Sequence, residues 1–357
     1  MELSVMFFGA QGAGAGGAAA VYEQVIECAR AADGLGFRAV WTPERHFQDF
    51  GQVFPAPAVL GAALARETRR LHIRAGSAVL PLKHPLRTVE EWSVLDNLSR
   101  GRVGLSVATG WHSTDFVLAP GSFADRRAEA FRQIGLIRRL WAGQEAEFPD
   151  GLGSPVQVRP RPAPYRAELP LWLTSSGNPA TWQTAGELRT GVLAAAPGQT
   201  RQELAEKIAL YREAYAAAPE QLGAPARGTV TLMVHAYVGD DMAEVRAKAR
   251  QPLKDYFKTY LRQAAASKVG TGDGAAPELS DAQQETMAEF AFERYLAWGS
   301  LLGTPERCLA AMADLRALGC DELACLVDFG LEHDEVLKSL QRLAEVRARL
   351  EDEEGTR

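Results

Sequence analysis

Residues Trp41 to Phe47 read WTPERHF and set Glu44, Arg45 and His46 side by side among aromatic neighbours. An imidazole titrates near neutral pH, so it can pass a proton or donate a hydrogen bond. The adjoining carboxylate and guanidinium could serve a substrate, or could simply pair with each other. Ala108 to Phe116, ATGWHSTDF, gathers Thr109, His112, Ser113 and Asp115 beside Trp111. Thr174 to Thr181, TSSGNPAT, sets Ser175, Ser176, Gly177 and Asn178 just before Pro179. A helix start leaves N–H groups and the positive dipole end free. Hydroxyls and a glycine at such a start make a seat for phosphate. Asn178 suits ordinary N-capping, but two serines and a glycine exceed what a cap needs. In GSAVLPLKHP, the small residues Gly76, Ser77 and Ala78 either admit a flat ligand or pack a tight barrel.

Other patterns point away from other chemistry. Gly12, Gly14 and Gly17 satisfy G-x-G-x-x-G after an apolar run, Leu3 to Phe8. A dinucleotide loop should turn at once into its helix, with an acid about 20 residues on, at the end of the second strand. Here the small-residue run continues to Ala20, and the nearest acid, Glu44, lies beyond Pro43. A flexible first loop is the better reading. There is no G-x-S-x-G elbow, Walker loop or HExxH motif. His46, His84 and His112 come from separate loops without a matching carboxylate set, so no metal is expected. The four cysteines, Cys28, Cys308, Cys320 and Cys325, form no C-x-x-C pair and read as reduced thiols. An organic, phosphate-bearing cofactor fits these features best.

Those residues need a scaffold. Leu3 to Phe8 reads as a first strand, and Val21, Val25, Ala29 and Ala32 recur at helical spacing. Further strands are expected at Phe37–Thr42, Ile73–Leu80, Arg102–Ala108, Leu171–Thr174, Gly191–Ala195, Thr229–Val238 and Leu323–Phe329. Helices are expected at Pro57–Arg69, Thr88–Leu98, Ala124–Trp141, Pro179–Leu188, Gln202–Tyr215, Met242 to about Leu261, Pro305 to Gly319 and Asp334–Leu350. Thr304 and Pro305 suit an N-cap and first helical position. A proline-rich stretch, Pro155 to Pro170, crosses the surface. The alternation favours a (β/α)8 TIM barrel over a doubly wound open sheet. Its candidate residues fall just after strand C-termini, where barrels carry chemistry. An insertion is expected near residues 262–290. Its stretch Gln263 to Gln284 is rich in Ala and Gly, without periodicity, and reads as a lid or a functionless loop.

With 357 residues, 46% hydrophobic and 24% charged, the chain can build a sizeable core. We expect one barrel domain over residues 1–350 and a frayed tail over 351–357. A formal net charge of -6 argues against a nucleic-acid-binding surface. No apolar stretch approaches the ~20 residues of a membrane span. MELSVMFFGA lacks a basic region before its apolar run, so a cytoplasmic protein is expected.

WTPERHFQDFG, GSAVLPLKHPLRTVEEWSVLDNLSRGRVGLSVATGWHSTDFVLAP, LWLTSSGNPATWQTAGE and LLGTPERC resemble the bacterial-luciferase-like flavin monooxygenases. Within that family the chain is most similar to the subgroup associated with polyketide and nonribosomal-peptide assembly lines. The resemblance implies a barrel that takes reduced FMN from a separate NAD(P)H:flavin reductase. With O2 as co-substrate, a C4a-(hydro)peroxide would oxygenate a small-molecule or carrier-bound intermediate. It implies phosphate contacts at Ser175, Ser176, Gly177 and Thr181, and ring or ribityl contacts at Thr109, Gly110 and Trp111. It also implies a non-proline cis peptide beside the flavin, matched to Ser77–Ala78, and a homodimer formed through barrel helices. His46, with Arg45 and Glu44, is the implied catalytic group. Luciferases proper carry two adjacent histidines where this chain has Arg45 and His46, and an arginine where it has Thr109. Phosphate neutralisation must then come from elsewhere or from backbone amides. An F420-dependent hydride-transfer enzyme and a non-catalytic flavin-binding relative are the alternative readings.

Overall fold

The computed structural model describes residues 1–9, 17–269 and 280–355. Strands are β1 (Glu2–Met6), β2 (Ala39–Thr42), β3 (His72–Val79), β4 (Val103–Ala108), β5 (Ala146–Pro149), β6 (Pro155–Val158), β7 (Leu171–Ser175), β8 (Gly191–Ala195), β9 (Val230–Val238), β10 (Leu301–Gly303) and β11 (Glu322–Leu326). Helices are α1 (Gly17–Gly34), α2 (Pro57–Glu67), α3 (Pro85–Ser99), α4 (Arg126–Trp141), α5 (Pro179–Glu187), α6 (Arg201–Ala217), α7 (Met242–Val269), α8 (Asp281–Ala297), α9 (Pro305–Ala317) and α10 (His333–Gly355).

The parallel strands run β9-β11-β1-β2-β3-β4-β7-β8, and β8 pairs back onto β9 to close the ring. This is the expected (β/α)8 barrel. Every residue of β9 and β11 is buried, as strands covered on both faces require. The short β10 extends the far end of β9, pairing Leu301 with Ala236. Inside the ring, side chains from five different strands meet at one polar plug. Arg74 Nη1 donates to both carboxylate oxygens of Glu322, at 2.9 and 2.8 Å. Glu322 Oε1 also accepts from Ser4 Oγ at 2.5 Å and Trp41 Nε1 at 3.1 Å. The Arg74 guanidinium lies between Trp41 and Trp172, 4.9 and 4.5 Å from their ring centroids.

The structure corrects several expectations. The surface stretch from Pro155 begins as one arm of an antiparallel hairpin, β5–β6, whose Phe148 pairs with Val156. Residues 281–290, read as part of a loop-like insertion, form the first half of α8. Ser280 and Gln283 make a capping box there: Ser280 Oγ accepts from Gln283 N, and Gln283 Oε1 from Ser280 N. The lid reading is left with residues 270–279, which lie outside the described residues. Residues 351–355, expected to fray, continue α10, held by buried Leu350 and an Arg347–Glu351 pair at 3.7 Å. The Gly12–Gly14 run also lies outside the described residues, while Gly17 opens α1.

Helices α7 and α8 are joined by a row of ion pairs. Arg246 pairs with Glu293, Arg250 with Glu289 at 2.9 Å, Lys254 with Glu289 at 2.8 Å and also with Glu285, and Lys258 with Glu285. The cations recur every four residues along α7 and the carboxylates every four along α8, so one face of each helix meets the other. Among the described residues, no helix is long and apolar enough to cross a membrane.

Candidate active site

The C-terminal ends of β1, β2, β3, β4, β7 and β8 surround a cavity of about 260 Å³, a size that suits an organic ligand rather than an ion. Of the anticipated residues, Glu44, Arg45, Ser77, Thr109, Gly110, Trp111, Ser175 and Ser176 line it. Ala78 does not: it is buried in the core. Gly177 and Thr181 follow directly at the turn into α5. His46 is not among the lining residues; its Nε2 lies against Glu44, which is.

Glu44 is the hub of the β2–β3 side. Its backbone N–H donates to the Ser77 carbonyl at 2.9 Å, and its Oε2 accepts from Val79 N at 2.9 Å. Its Oε1 lies 3.1 Å from His46 Nε2 and 3.1 Å from Lys83 Nζ. Glu44 and Arg45 therefore do not pair with each other. A carboxylate held by Lys83 only accepts, so His46 presents Nε2–H to Glu44.

The non-proline cis peptide joins Gly76 and Ser77, one bond before the anticipated Ser77–Ala78 pair. Gly76 packs against Trp41 so closely that a Cβ would lie 3.1 Å from the indole, so its smallness serves packing. Ser77 faces the cavity, and its Oγ meets Thr174 Oγ1 at 2.7 Å, which in turn meets Ser106 Oγ at 2.6 Å. Gly110 has φ +79, and a Cβ there would fall 2.8 Å from the Phe116 ring. Only glycine meets both demands.

At the start of α5, Ser175 Oγ accepts from Gly177 N at 3.3 Å, and Asn178 Oδ1 caps the helix through Ala180 N at 3.0 Å. Gly177 has φ +117, and the space where its Cβ would stand is open except for Lys207 Nζ at 3.8 Å. Arg127 Nη2 reaches Thr181 Oγ1 at 3.5 Å. Two cations thus flank a hydroxyl- and glycine-lined turn, which matches what a phosphate needs. Both place positive charge beside the turn.

The opposite wall is aromatic. Arg45 lies with its guanidinium carbon 4.3 Å from the Phe8 centroid, 5.6 Å from Phe50 and 5.9 Å from Trp111. Tyr256 and Tyr260 of α7 complete this side, and Tyr260 lies 5.9 Å from Trp111. Burial lifts the Asp115 carboxyl to about 6, against the pull of the His46 and Arg45 charges. Burial and the Arg45 charge lower the pKa of His112, whose Nε2 has no partner. Burial also lifts Asp328 to about 6; it accepts the N–H groups of Phe8 and Gly9 at 2.9 and 2.7 Å, fixing the start of the first loop. Among the described residues no cluster of His, Cys, Asp and Glu is arranged for a metal.

Sequence reasoning missed Lys83, Arg127, Lys207, Tyr256 and Tyr260. The four-residue spacing of the two tyrosines put them on one helix face, but nothing local said which way that face pointed.

The luciferase-like monooxygenase model matches residues 1–322, most of the chain. The protein belongs to the luciferase-like monooxygenase family. Its members are flavin-dependent oxidoreductases, and the chain is accordingly an enzyme of that kind. The chain is 25% identical over 333 residues to the oxygenase component of flavin-dependent trigonelline monooxygenase from Acinetobacter baylyi, covering 90% of this chain and 88% of that one. It is 26% identical over 303 residues to 4-hydroxyprotoasukamycin monooxygenase from Streptomyces nodosus subsp. asukaensis, covering 82% and 76%. Among solved structures, the oxygenating constituent of 3,6-diketocamphane monooxygenase from Pseudomonas putida, in complex with FMN, superposes with a TM-score of 0.75. It shares 18% identity over 98% of both chains. This luciferase-like monooxygenase therefore shares that fold, and its cavity occupies the catalytic end of the barrel.

Proposed function

We propose that the protein is the oxygenase of a two-component system, taking reduced FMN from a separate flavin reductase and transferring one atom of O2 to an organic substrate of natural-product biosynthesis. The carrying observation is the turn at Ser175, Ser176 and Gly177, flanked by Arg127 and Lys207. These residues, with Thr181, would hold the FMN phosphate. Ser77, Thr109, Gly110 and Trp111 would contact the ring and ribityl chain. The bound flavin supplies the electron pair that activates oxygen. Trp111, Tyr256, Phe257 and Tyr260 keep water from the reaction space. His46, oriented by Glu44, moves a proton at Nδ1. Trigonelline monooxygenase carries the words "oxygenase component" in its name, which supports a partner reductase here. The 4-hydroxyprotoasukamycin relative and the sequence resemblance support the natural-product role. A homodimer through barrel helices is part of the proposal, and α2 and α3 expose Val59, Val94 and Leu98 for it.

The test is oxygen uptake with NADH, FMN and a flavin reductase, together with FMN titration by fluorescence quenching. Arg127→Ala should weaken FMN binding about tenfold, as loss of one charge-assisted contact does. Undiminished FMN affinity in that variant would remove the phosphate assignment. Reduction of F420 without oxygen uptake would replace the oxygenase reading.

A further inference from the structure

Arg45 stands apart from the other cations at the site. Lys83 has Glu44, Lys207 has Gln199 Oε1 at 2.8 Å, and Arg127 reaches Thr181. The Arg45 guanidinium makes no ion pair and no side-chain hydrogen bond with any described residue. Phe8, Phe50 and Trp111 attract the guanidinium through their π-faces. Ring faces accept no conventional hydrogen bonds, so among the described residues its N–H groups have no acceptor, and Arg45 lines the cavity. Glu44, the neighbour in sequence, is held elsewhere by three contacts. Burial pulls the Arg45 pKa down, opposed by Tyr256, Asp115 and Tyr260. A guanidinium presents a rigid fork that matches a carboxylate.

We propose that Arg45 is the receptor for a substrate carboxylate, and that the substrates of this enzyme are planar organic acids stacked among the surrounding aromatic side chains. One guanidinium without an ion pair or side-chain hydrogen bond to a described residue matches one carboxylate. The flavin phosphate has its own cations across the cavity, so the two anions do not compete. This inference rests on the oxygenase reading for the reaction, but its recognition element can be tested without it. A neutral analogue leaves the half-buried guanidinium without a counter-charge, which is how a polar site rejects the wrong ligand.

The probes are benzoate and benzamide, equal in shape and differing in charge. Their binding is measured by ligand-observed NMR on the protein with and without FMN, in wild type, Arg45→Met and Arg45→Lys. Methionine keeps the stem that packs over Gly51. Benzoate should bind wild type about tenfold more tightly than benzamide, the scale of one charge-assisted hydrogen bond. Arg45→Met should abolish the preference and Arg45→Lys retain part of it, while FMN affinity stays unchanged in both. Equal binding of the two probes to wild type, including no binding of either, overturns the proposal. So does a preference that survives in Arg45→Met, or FMN binding lost with that variant, which would make Arg45 a flavin residue. Failure of wild type to bind FMN would instead count against the oxygenase reading, since the two probes are compared on FMN-free protein as well.

Discussion

Asp115 shows what burial does to a single group in this site. Its carboxyl is raised from an ordinary 3.8 to about 6, so the folded protein holds that proton more tightly than the unfolded chain. The associated stability is fully present below 3.8 and is lost as the pH rises through 6. Asp115→Asn, neutral throughout, escapes that loss. Its melting temperature relative to wild type should therefore rise between pH 5 and pH 8 in thermal denaturation. A gap that stays flat across that range would show that the carboxyl is not raised. Residues of this kind were half-legible in the sequence. WTPERHF announced Glu44, Arg45 and His46 as neighbours, and position after a strand directed them to the mouth. It left open whether the acid and the guanidinium pair, because partners such as Lys83 and Val79 arrive through the tertiary fold. The cations that flank the α5 turn come from α4 and α6, with no signature beside the serines they serve.

Strong punctuation made most barrel elements readable. Pro57, Pro85, Pro179 and Pro305 each open a helix, and the strands between them are short apolar runs. Composition misled where it concealed a cap. The stretch leading to α8 is rich in Ala and Gly, yet Ser280 and Gln283 carry the S-x-x-Q pattern that starts a helix. Ser280→Ala should cost about 1 kcal/mol, read as a lower melting temperature or denaturant midpoint, with Ser280→Asp largely restoring it. No loss in the alanine variant would show the cap to be dispensable. The hairpin β5–β6 escaped notice because its two strands are four residues each, the first ending and the second beginning in proline.

At the scale of the whole molecule, the barrel is closed around a charge. The period of strands and helices foretold the ring, but a buried Arg74–Glu322 pair has no sequence signal, since its members are 248 residues apart. Glu322→Ala would strand the guanidinium between two tryptophans and should cost about 3–5 kcal/mol. Arg74→Met combined with Glu322→Leu should cost less than that single change, because no charge is left behind. Urea denaturation followed by tryptophan fluorescence compares the two; a double variant weaker than Glu322→Ala would contradict this account. A different consequence attaches to the row of ion pairs between α7 and α8. The helix they steady is the one that brings Tyr256 and Tyr260 to the cavity. Mobile counter-ions in the buffer reach the outer pairs, Arg246–Glu293 and Arg250–Glu289, and weaken them. The firmness of the chamber's roof is thus partly a property of the surrounding electrolyte, felt by a bound guest that never touches it.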